Sequence, residues 1–527
     1  MTLPLLVHVS SDAALRSGAW DALIVVATRP ETAPLALRER LLRAAQVDHS
    51  LRHSVQLLQY SGAPGDRLIF SPACDLDTDG ADIRSISEAA EAGLRRALQA
   101  GALAPCLVLG ELPANEAFRA GEFALLFGAL EALWVPLEAR EINRGRSVEA
   151  LGLFAPTRSK AGARRGLRWV SAVEAGRSLA RDLAGADSER MSPTRFAELV
   201  TRCFKGGTVR CEVVRERTHL ETEYPLLSAV ARATYTVKRC SPRVLKLRYE
   251  GAGPIQERLF FAGQGVMSSA GSLGAEIRGM AQTSRDRGGA AAIAGFFLSL
   301  SLLQPPGLSV EAELGLVCGG DGAEAILPGE IITSQAGQRV RVDGPGAEGA
   351  LVLADLLSQL RIRAMTEDSS ETRPQLFSVA GLMRSACSVF GDCSVVFDND
   401  LARRLNSSAK LAEAGESFGD YVEHVKLRRA AFRLIAPRGL AEDLLSPGGA
   451  ASPERPLGDQ RSVAFLTIAS GLRAHEDQSA YPLSYSHLDI GASCLQRAGS
   501  HRRCGRPSGT PLLAFAGRWL SPPSRPF

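Results

Sequence analysis

Within residues 1–165, continuous apolar runs alternate with segments in which apolar residues recur at helical spacing. Continuous apolar runs at 22–28 and 105–110 are typical of short strands that are buried on both faces. At 86–100 and 119–134, apolar residues recur at helical spacing among Ala, Leu and Glu, which favour helix. Because strands alternate with helices, the pattern predicts an α/β unit with a largely parallel sheet.

A second alternation follows farther along the chain. Apolar runs at 258–263 and 308–318 predict strands, and the segments 289–303 and 350–360 predict helices. The order strand, helix, strand, helix is typical of βαβ units. We therefore expect a second, larger α/β domain with a mixed central sheet.

The two alternating regions give the expected domain organisation. We predict an N-terminal α/β domain at 1–165, a larger C-terminal domain at 170–520 and a tail at 521–527. The segment 157–168 is rich in Gly, Arg and Lys, which predicts an exposed connection. An amphipathic helix is expected directly after it, at 170–183.

Charge and hydropathy argue against two classes of partner. The net charge is only +4, so no concentrated basic face for a nucleic acid is expected. Basic clusters at 160–168 and 497–506 are interpreted as solvated loops or tail. No apolar run reaches the ~20 residues that span a membrane. The longest, 290–303, ends at Gln-Pro-Pro and predicts a buried core helix.

The N-terminus and the cysteines indicate a cytoplasmic protein. The first residues, Met-Thr-Leu-Pro, lack the basic start and apolar core of a secretory signal. Ten cysteines are scattered singly, with no Cys-x-x-Cys pair and no zinc-finger spacing. We expect free buried thiols in a reducing compartment and no catalytic cysteine.

Three local patterns that can carry chemistry receive structural interpretations. The Gly-Gly-Asp-Gly segment at 319–322 lacks the Gly-Lys-Ser/Thr of a phosphate loop, so a turn is predicted. His487 stands beside Asp489 in a short strand, which favours a structural, hydrogen-bonded histidine. A serine hydrolase with a nucleophile elbow is not indicated.

Six short segments, in order along the chain, carry a specific resemblance. They read Phe-Ala-Gly-Gln-Gly-Val at 261–266, Ser-Arg-Asp-Arg-Gly-Gly-Ala-Ala at 284–291, Leu-Pro-Gly-Glu-Ile-Ile at 327–332, Val-Asp-Gly-Pro-Gly-Ala-Glu-Gly-Ala-Leu-Val-Leu at 342–353, Ala-Gly-Leu-Met at 380–383 and His-Leu-Asp-Ile at 487–490. The fourth resembles the Asn-Thr-Asp-Ala-Glu-Gly-Arg-Leu signature of the leucyl (cytosol) aminopeptidase family. The chain resembles that family over most of residues 170–520, which implies the family's two-domain α/β fold.

The resemblance implies a site for two metal ions, held by a Lys, three Asp and a Glu. Position by position, Asp286 and Glu348 keep their carboxylates. The other three ligand positions are substituted, by Gln264, Ser269 and Gly346. Zn²⁺, Mn²⁺ and Mg²⁺ favour carboxylate ligands, and a neutral amide is a poor substitute. We therefore expect no bound cofactor, or at most one Mn²⁺ or Zn²⁺ ion.

The two catalytic groups that the resemblance implies are also replaced. The family's lysine that polarises the reaction intermediate corresponds to Glu276, and its bicarbonate-binding arginine corresponds to Ala350. Loss of one major catalytic group commonly costs about 10²–10⁴ in rate. Losses within one catalytic unit do not simply multiply. Even so, no intact catalytic residue of the family mechanism is expected.

Without metals, Asp286 and Glu348 would face each other as like charges. Three arrangements stay open at this point. Glu276 could join the two carboxylates in a rebuilt single-metal site, or the residues could form neither a metal site nor a cluster. The favoured interpretation is a structural salt-bridge cluster, in which the cations would be Arg278, Arg285 or Arg287.

The leading hypothesis is a catalytically impaired family member, a pseudo-peptidase that acts as a scaffold, a peptide binder or a partner of active paralogues. The alternative is an active aminopeptidase that uses Mn²⁺ or Zn²⁺ to release N-terminal residues from peptides. Because the family assembles as hexamers through its C-terminal domains, the resemblance implies a homohexamer. Neither a nucleic-acid nor a membrane partner is expected, and the cytoplasm is the expected location.

Overall fold

A computed structural model of the chain describes residues 3–16, 18–142, 148–268, 280–320, 322–344, 346–366, 372–382, 386–448, 460–495 and 505–520. Two α/β regions follow one another, each built around its own sheet. The predicted fold class, with a small N-terminal unit and a larger C-terminal unit, is confirmed.

The N-terminal region contains a sheet in the order β1-β6-β5-β2-β4-β3. All neighbours are parallel except the edge strand β3, which runs antiparallel to β4. The strands are β1 (Leu5–Val9), β2 (Ala22–Ala27), β3 (Gln56–Gln59), β4 (Arg67–Pro72), β5 (Pro105–Leu109) and β6 (Ala150–Phe154). Every residue of β2 is buried, as its continuous apolar run predicts.

Helices cover the two faces of this first sheet. They are α1 (Asp12–Leu15), α2 (Leu35–Val47), α3 (Arg84–Gln99), α4 (Gly121–Leu133) and α5 (Leu137–Glu141). The helices predicted at 86–100 and 119–134 are thus confirmed as α3 and α4, with ends shifted by one or two residues. One core lies under α3 and α4, and a second lies under α2.

The long helix α6 (Lys160–Gly185) leads into the C-terminal region and corrects one prediction. The segment 157–168 was expected to be an exposed connection, but it is helical from Lys160 onwards. Ala163, Gly166 and Leu167 are buried in this helix, while its basic residues at 164 and 165 face solvent. The many basic residues in this segment made the helical spacing of its buried residues hard to recognise in the sequence.

The C-terminal region contains a sheet in the order β15-β14-β17-β13-β9-β10-β8-β7 and a small sheet in the order β11-β12-β16. Its strands are β7 (Arg210–Val214), β8 (Arg243–Glu250), β9 (Glu257–Ser268), β10 (Leu308–Gly319), β11 (Ile331–Thr333), β12 (Arg339–Arg341), β13 (Pro374–Ala380), β14 (Ser394–Asp398), β15 (Val422–Lys426), β16 (Leu444–Leu445) and β17 (Ser484–Asp489). The four central strands β17, β13, β9 and β10 are parallel, and antiparallel pairs flank them. The predicted mixed sheet is therefore confirmed.

The remaining helices are α7 (Pro193–Phe204), α8 (Arg217–Glu223), α9 (Pro225–Ala231), α10 (Met280–Leu303), α11 (Glu348–Thr366), α12 (Ala386–Phe390), α13 (Asp400–Arg404), α14 (Ser407–Phe418), α15 (Arg429–Leu434), α16 (Gln460–Ala469) and α17 (Leu512–Trp519). The central sheet separates two cores. Helices α6, α10 and α17 pack on one face, and α9, α11 and α16 pack on the other.

Helices α6 and α10 approach so closely that glycine is required at the crossing. A Cβ atom on Gly176 would lie 2.3 Å from the carbonyl oxygen of Gly295, and one on Gly295 would lie 2.4 Å from that of Gly176. The stretch Asp286–Leu303 is long and apolar enough to cross a membrane, but 72% of it is buried inside the protein. The predicted core helix at 290–303 is confirmed.

Four buried charges join the two regions. Arg177 donates from Nη2 to Glu131 Oε2 (2.9 Å) on α4 and from Nη1 to Glu174 Oε2 (2.7 Å). Arg181 donates from Nη1 to Glu174 Oε1 (2.7 Å) and also contacts Glu131. Two carboxylates and two guanidiniums therefore balance each other inside the junction between α4 and α6. We call these four residues the junction cluster.

The cysteines described by the structure are free, but they are not uniformly buried. Cys106, Cys240, Cys318 and Cys494 are buried, as expected. Cys74 and Cys203 are exposed, which corrects the expectation of buried thiols throughout.

Candidate functional site at the strand ends

The positions that the signature singles out gather where the parallel strands end. Gln264 lies on β9 within five residues of the strand's end, and Glu348 begins α11. A Cβ atom on Gly319, the last residue of β10, would lie 4.0 Å from Glu348 Cγ. In parallel α/β sheets, ligands bind outside the carboxyl ends of the strands. We call Gln264, Asp286, Gly346, Glu348 and the turn at 380–382 the strand-end site.

The side chain of Gln264 is engaged with its own protein. It is buried, and its Oε1 accepts a hydrogen bond from the backbone N–H of Gly381 (3.3 Å). Its Nε2 packs against α11, because a Cβ atom on Gly349 would lie only 2.4 Å away. The amide thus connects β9, α11 and the turn after β13. In the family this position carries a metal-binding amine.

The turn after β13 is held from a second side by Asp489. This fully buried carboxylate accepts hydrogen bonds from the backbone N–H groups of Leu382 (2.8 Å) and Gly491 (2.9 Å). The backbone of Ile490 also donates to the carbonyl oxygen of Ala380 (2.8 Å). Gly381 and Leu382 therefore direct their N–H groups to protein acceptors. Met383, the last residue of this motif, lies outside the described residues.

The signature loop has a backbone that disfavours a ligand side chain. Gly346, at the third aspartate position, has a φ of +88°, which L residues rarely adopt. Its N–H donates to Glu348 Oε1 (3.2 Å), so this retained carboxylate folds back onto its own loop. Ala350, at the arginine position, is buried within α11 and presents only a methyl group.

Asp286 and Arg287 belong to the first turns of α10. Asp286 is partly buried. Arg287 is almost completely buried and points to the end of α6, where it donates to the carbonyl oxygens of Ala184 (2.8 Å), Ala186 and Met191 (3.2 Å). Cations are favoured at a helix C-terminus, where carbonyl groups lack helical partners. Burial lowers the pKa of Arg287 to about 10.

The direction of Arg287 corrects one interpretation of the sequence. Arg287 was among the cations expected to neutralise Asp286 and Glu348, but its guanidinium is used by the α6 carbonyls. Arg278, Ser269 and Glu276 lie outside the described residues, as does the side chain of Arg285. Whether those residues form a cluster with the two carboxylates stays a prediction.

A close backbone contact fixes α10 against the sheet just below the site. A Cβ atom on Gly289 would lie 1.9 Å from the carbonyl oxygen of Val379 and 3.1 Å from the backbone nitrogen of Gln264. Only glycine allows this approach. The Gly-Gly pair at 288–289, which follows Asp286, therefore seats α10 between β9 and β13.

His487 has the structural role that was predicted. It is fully buried, and its Nδ1 lies 2.8 Å from Ser378 Oγ, which is itself 2.8 Å from Tyr485 Oη. Its Nε2 is 3.6 Å from Asp489 Oδ2. The histidine thus bridges β13 and β17 beneath the strand ends.

The side chains present do not fit the family's pair of metal ions. Within the described part of the chain, no three His, Cys, Asp or Glu side chains come together as a possible metal site. Gln264 is hydrogen-bonded to backbone, Gly346 offers no side-chain ligand, and Glu348 accepts from its own loop. No reaction step through such metals is therefore derived.

Two features of this site were missed in the sequence. The bond between Gln264 and Gly381 joins residues 117 positions apart, so no local pattern could reveal it. The role of Asp489 had a weak signal, since a carboxylate at the end of an apolar strand needs buried donors.

A family model described as the catalytic domain of the cytosol aminopeptidase family matches residues 178–515. The chain belongs to the cytosol aminopeptidase family. The match covers α10, the signature loop and the His-Leu-Asp-Ile strand. It therefore includes every residue of the strand-end site.

Sequence relatives agree with this membership. A Caenorhabditis elegans protein named as an aminopeptidase is 29% identical over 96% of this chain and 97% of its own length. A Chelativorans protein named as a cytosol aminopeptidase is 26% identical over 62% of this chain and 59% of its own length.

Two solved structures share the fold. A mutant of tomato leucine aminopeptidase superposes with a TM-score of 0.78 at 17% identity, covering 99% of this chain and 97% of that chain. The bottromycin maturation enzyme BotP in complex with Mn superposes with a TM-score of 0.73 at 20% identity, covering 96% and 100%. At these identities the likeness shows the fold alone.

Proposed function

We propose that this chain is a non-catalytic member of the cytosol aminopeptidase family, a pseudo-peptidase that serves as a scaffold or peptide-binding partner of active paralogues. The observation that carries the proposal is the engagement of Gln264. Its amide oxygen accepts from Gly381 and its amide nitrogen packs on Gly349, at the position where the family carries a metal-binding lysine.

The neighbouring groups support the same proposal. Gly346 and Ala350 lack the functional groups that the family mechanism uses at those positions. The N–H groups of Gly381 and Leu382 are occupied by Gln264 and Asp489. A two-metal site works by clamping and activating the attacking oxygen, and three of the five ligand positions that the resemblance implies are substituted in this chain.

The proposal is tested by the hydrolysis of leucyl-p-nitroanilide after loading with excess Mn²⁺ or Zn²⁺. We expect no turnover above that of a matched Asp286→Asn/Glu348→Gln variant, which removes both retained carboxylates. The same assay on an active family member confirms that the loading conditions work. Metal-dependent turnover in the wild type that the double substitution abolishes would overturn the proposal.

A rescue variant makes the test sharper. The substitutions are Gln264→Lys, Ser269→Asp, Glu276→Lys, Gly346→Asp and Ala350→Arg. Metal binding should return before activity, because binding requires only the ligands and their geometry. Activity should stay weak, since the φ of +88° at Gly346 strains an aspartate there and ~1 Å of misplacement can cost ~10²-fold in rate. Wild-type turnover equal to that of the rescue variant would contradict the proposal.

We further propose that the chain forms homohexamers through its C-terminal region, located in the cytoplasm. The support is the family membership and the family framework of sheet, glycine contacts and strand-end turns. Light scattering at micromolar concentration should give a hexameric mass. A stable monomer would exclude the assembly.

The second candidate function is a metal-dependent aminopeptidase with an altered site. One observation favours it, namely that Asp286 and Glu348 are both present and only partly buried. A single Mn²⁺ or Zn²⁺ ion would need further oxygen ligands beyond these two. Binding of one ion per chain that the Asp286→Asn/Glu348→Gln variant loses would support this candidate.

A further inference from the structure

A pocket of about 420 Å³ opens on the C-terminal region, between the small sheet and helices α15 and α16. It shares no residue with the strand-end site. Its walls are mainly apolar, and they are formed by Phe432, Ile435, Ala436, Pro437, Ile468 and Ala474. Pockets of this volume and apolar character are typical of small-molecule sites.

Three polar side chains line the same pocket, namely Gln338, Asp443 and Arg473. The carboxylate of Asp443 is already neutralised. Arg339 donates to it from its backbone N–H (2.8 Å), from Nε (3.1 Å) and from Nη2 (2.7 Å). These contacts lower the pKa of Asp443 to about 2, so it remains an occupied acceptor at neutral pH.

Arg473, in contrast, offers an available positive charge. It is exposed at the pocket, and among the residues that the structure describes no carboxylate lies within ion-pair distance of it. A second guanidinium lies beneath the pocket wall. A Cβ atom on Gly471 would stand 3.3 Å from Arg361 Cζ.

Among the residues that the structure describes, the partners of Arg361 are neutral. Its Nε donates to the carbonyl oxygen of Ser470 (3.0 Å), and its Nη1 lies 3.3 Å from His475 Nε2. Because His475 Nδ1 is 2.8 Å from the carbonyl oxygen of Tyr481, that nitrogen carries a hydrogen and Nε2 can accept from Arg361. Two cations without carboxylate partners therefore adjoin one apolar pocket.

We propose that this pocket binds an apolar carboxylate. Its aliphatic or aromatic part would rest on Phe432, Ile435 and Ile468, and its carboxylate would pair with Arg473. The carboxylate could belong to a free branched or fatty acid, or to the C-terminal residue of a peptide. A guanidinium–carboxylate pair is a strong polar contact, and the apolar walls exclude water around it.

Saturation-transfer difference NMR tests this with three probes that share an isobutyl group: 4-methylpentanoate, N-acetyl-leucine and N-acetyl-leucinamide. A ligand this small is expected to bind with a Kd of about 1 mM. Both carboxylates should receive saturation from the protein, and the uncharged amide should bind about tenfold more weakly. Tighter binding of N-acetyl-leucine identifies a peptide C-terminus, and tighter binding of 4-methylpentanoate identifies a free acid.

Variants locate the binding. Arg473→Ala should raise the Kd of the preferred carboxylate about tenfold, while the matched control Arg165→Ala, which removes one exposed charge from α6, should leave it unchanged. Ala474→Trp should abolish binding by filling the pocket, and circular dichroism checks that each variant is folded. Equal binding of the amide and the carboxylate, unchanged binding in Arg473→Ala, or no saturation transfer to either acid would each overturn the proposal.

Discussion

The junction cluster and the strand-end site differ in whether their most buried polar side chains are charged. In the junction cluster, Glu131, Glu174, Arg177 and Arg181 are nearly inaccessible to solvent, and each has a partner of opposite charge. In the strand-end site, the most buried polar side chain is the neutral Gln264. The retained carboxylates Asp286 and Glu348 are only partly buried there.

Paired buried charges and a neutral buried amide place different demands on the two regions. Burying a charge is costly unless it is paired, so the junction cluster must stay complete for the domains to pack. A site that binds metal ions keeps carboxylates that the metal neutralises. Here the neutral amide of Gln264 is the most buried polar group and is hydrogen-bonded to Gly381, which supports the proposal of a site without a pair of metal ions.

The largest effect is expected in the junction cluster. Arg181→Met leaves one guanidinium of the junction cluster, that of Arg177, against both Glu131 and Glu174, and should lower the free energy of unfolding by about 3–5 kcal/mol. Urea denaturation measures the change. The matched control Arg165→Ala, on the exposed face of the same helix, should change it by less than about 0.5 kcal/mol. A loss below about 1 kcal/mol for Arg181→Met would show that the cluster does not hold the domains together.

A smaller loss of stability is expected when Arg287 is replaced. This substitution tests whether Arg287 stabilises the end of α6 or neutralises Asp286 in the strand-end site. Arg287→Met removes the donors to two carbonyl groups at the end of α6 and to that of Met191 before α7, and should lower the free energy of unfolding by about 1–3 kcal/mol. The loss of unfolding free energy should be the same in an Asp286→Asn background, because the Arg287 guanidinium donates its hydrogen bonds to carbonyl groups at the end of α6. A double-mutant cycle with an interaction energy above about 1 kcal/mol would instead make Arg287 the counter-ion of Asp286.

At the strand ends, Gln264→Ala should lower the free energy of unfolding by about 1–2 kcal/mol, because the N–H of Gly381 loses its acceptor. Hydrogen exchange should speed up at residues 381–382 more than in the centre of β9. Gln264→Glu, which keeps an acceptor, is the matched control and should retain the protection of Gly381. Unchanged exchange in the alanine variant would mean that Gln264 does not hold this turn.

A pH dependence of stability is expected from Glu313 on β10. Burial raises the pKa of this carboxyl to about 7, although Lys246 and Arg363 oppose the shift. The folded state therefore holds a proton that the unfolded chain has released. The free energy of unfolding should fall between pH 4.5 and about 7, by at most about 1.4 kcal/mol per pH unit. Glu313→Gln should reduce this slope without abolishing it, because burial also raises the pKa of Asp355 to about 7. An identical slope in the variant would contradict the assignment.

The sequence predicted the elements whose burial is uniform or periodic. The apolar runs at 22–28 and 308–318 are β2 and β10, and the helix at 350–360 is the interior of α11. It failed at 157–168, where arginines on the solvent face of α6 concealed a buried stripe of small residues. Local composition does not distinguish an exposed loop from one face of a helix.

For the site, the sequence indicated which residues are involved but not where their side chains point. The resemblance singled out Gln264 and Glu348, and the structure has Gln264 near the end of β9 and Glu348 at the start of α11. It could not tell that Arg287 points to the end of α6, because adjacent helical residues face different neighbours. The junction cluster was not predicted, although Glu174, Arg177 and Arg181 share one buried face of α6.

The central claim is that the strand ends are complete without a pair of metal ions. The most direct test is the metal content of the purified chain, measured by plasma mass spectrometry after equilibration with excess Mn²⁺ or Zn²⁺ and removal of free ion. We expect one ion per chain at most, and no change after Gln264→Ala. Close to two ions per chain at neutral pH would contradict the account.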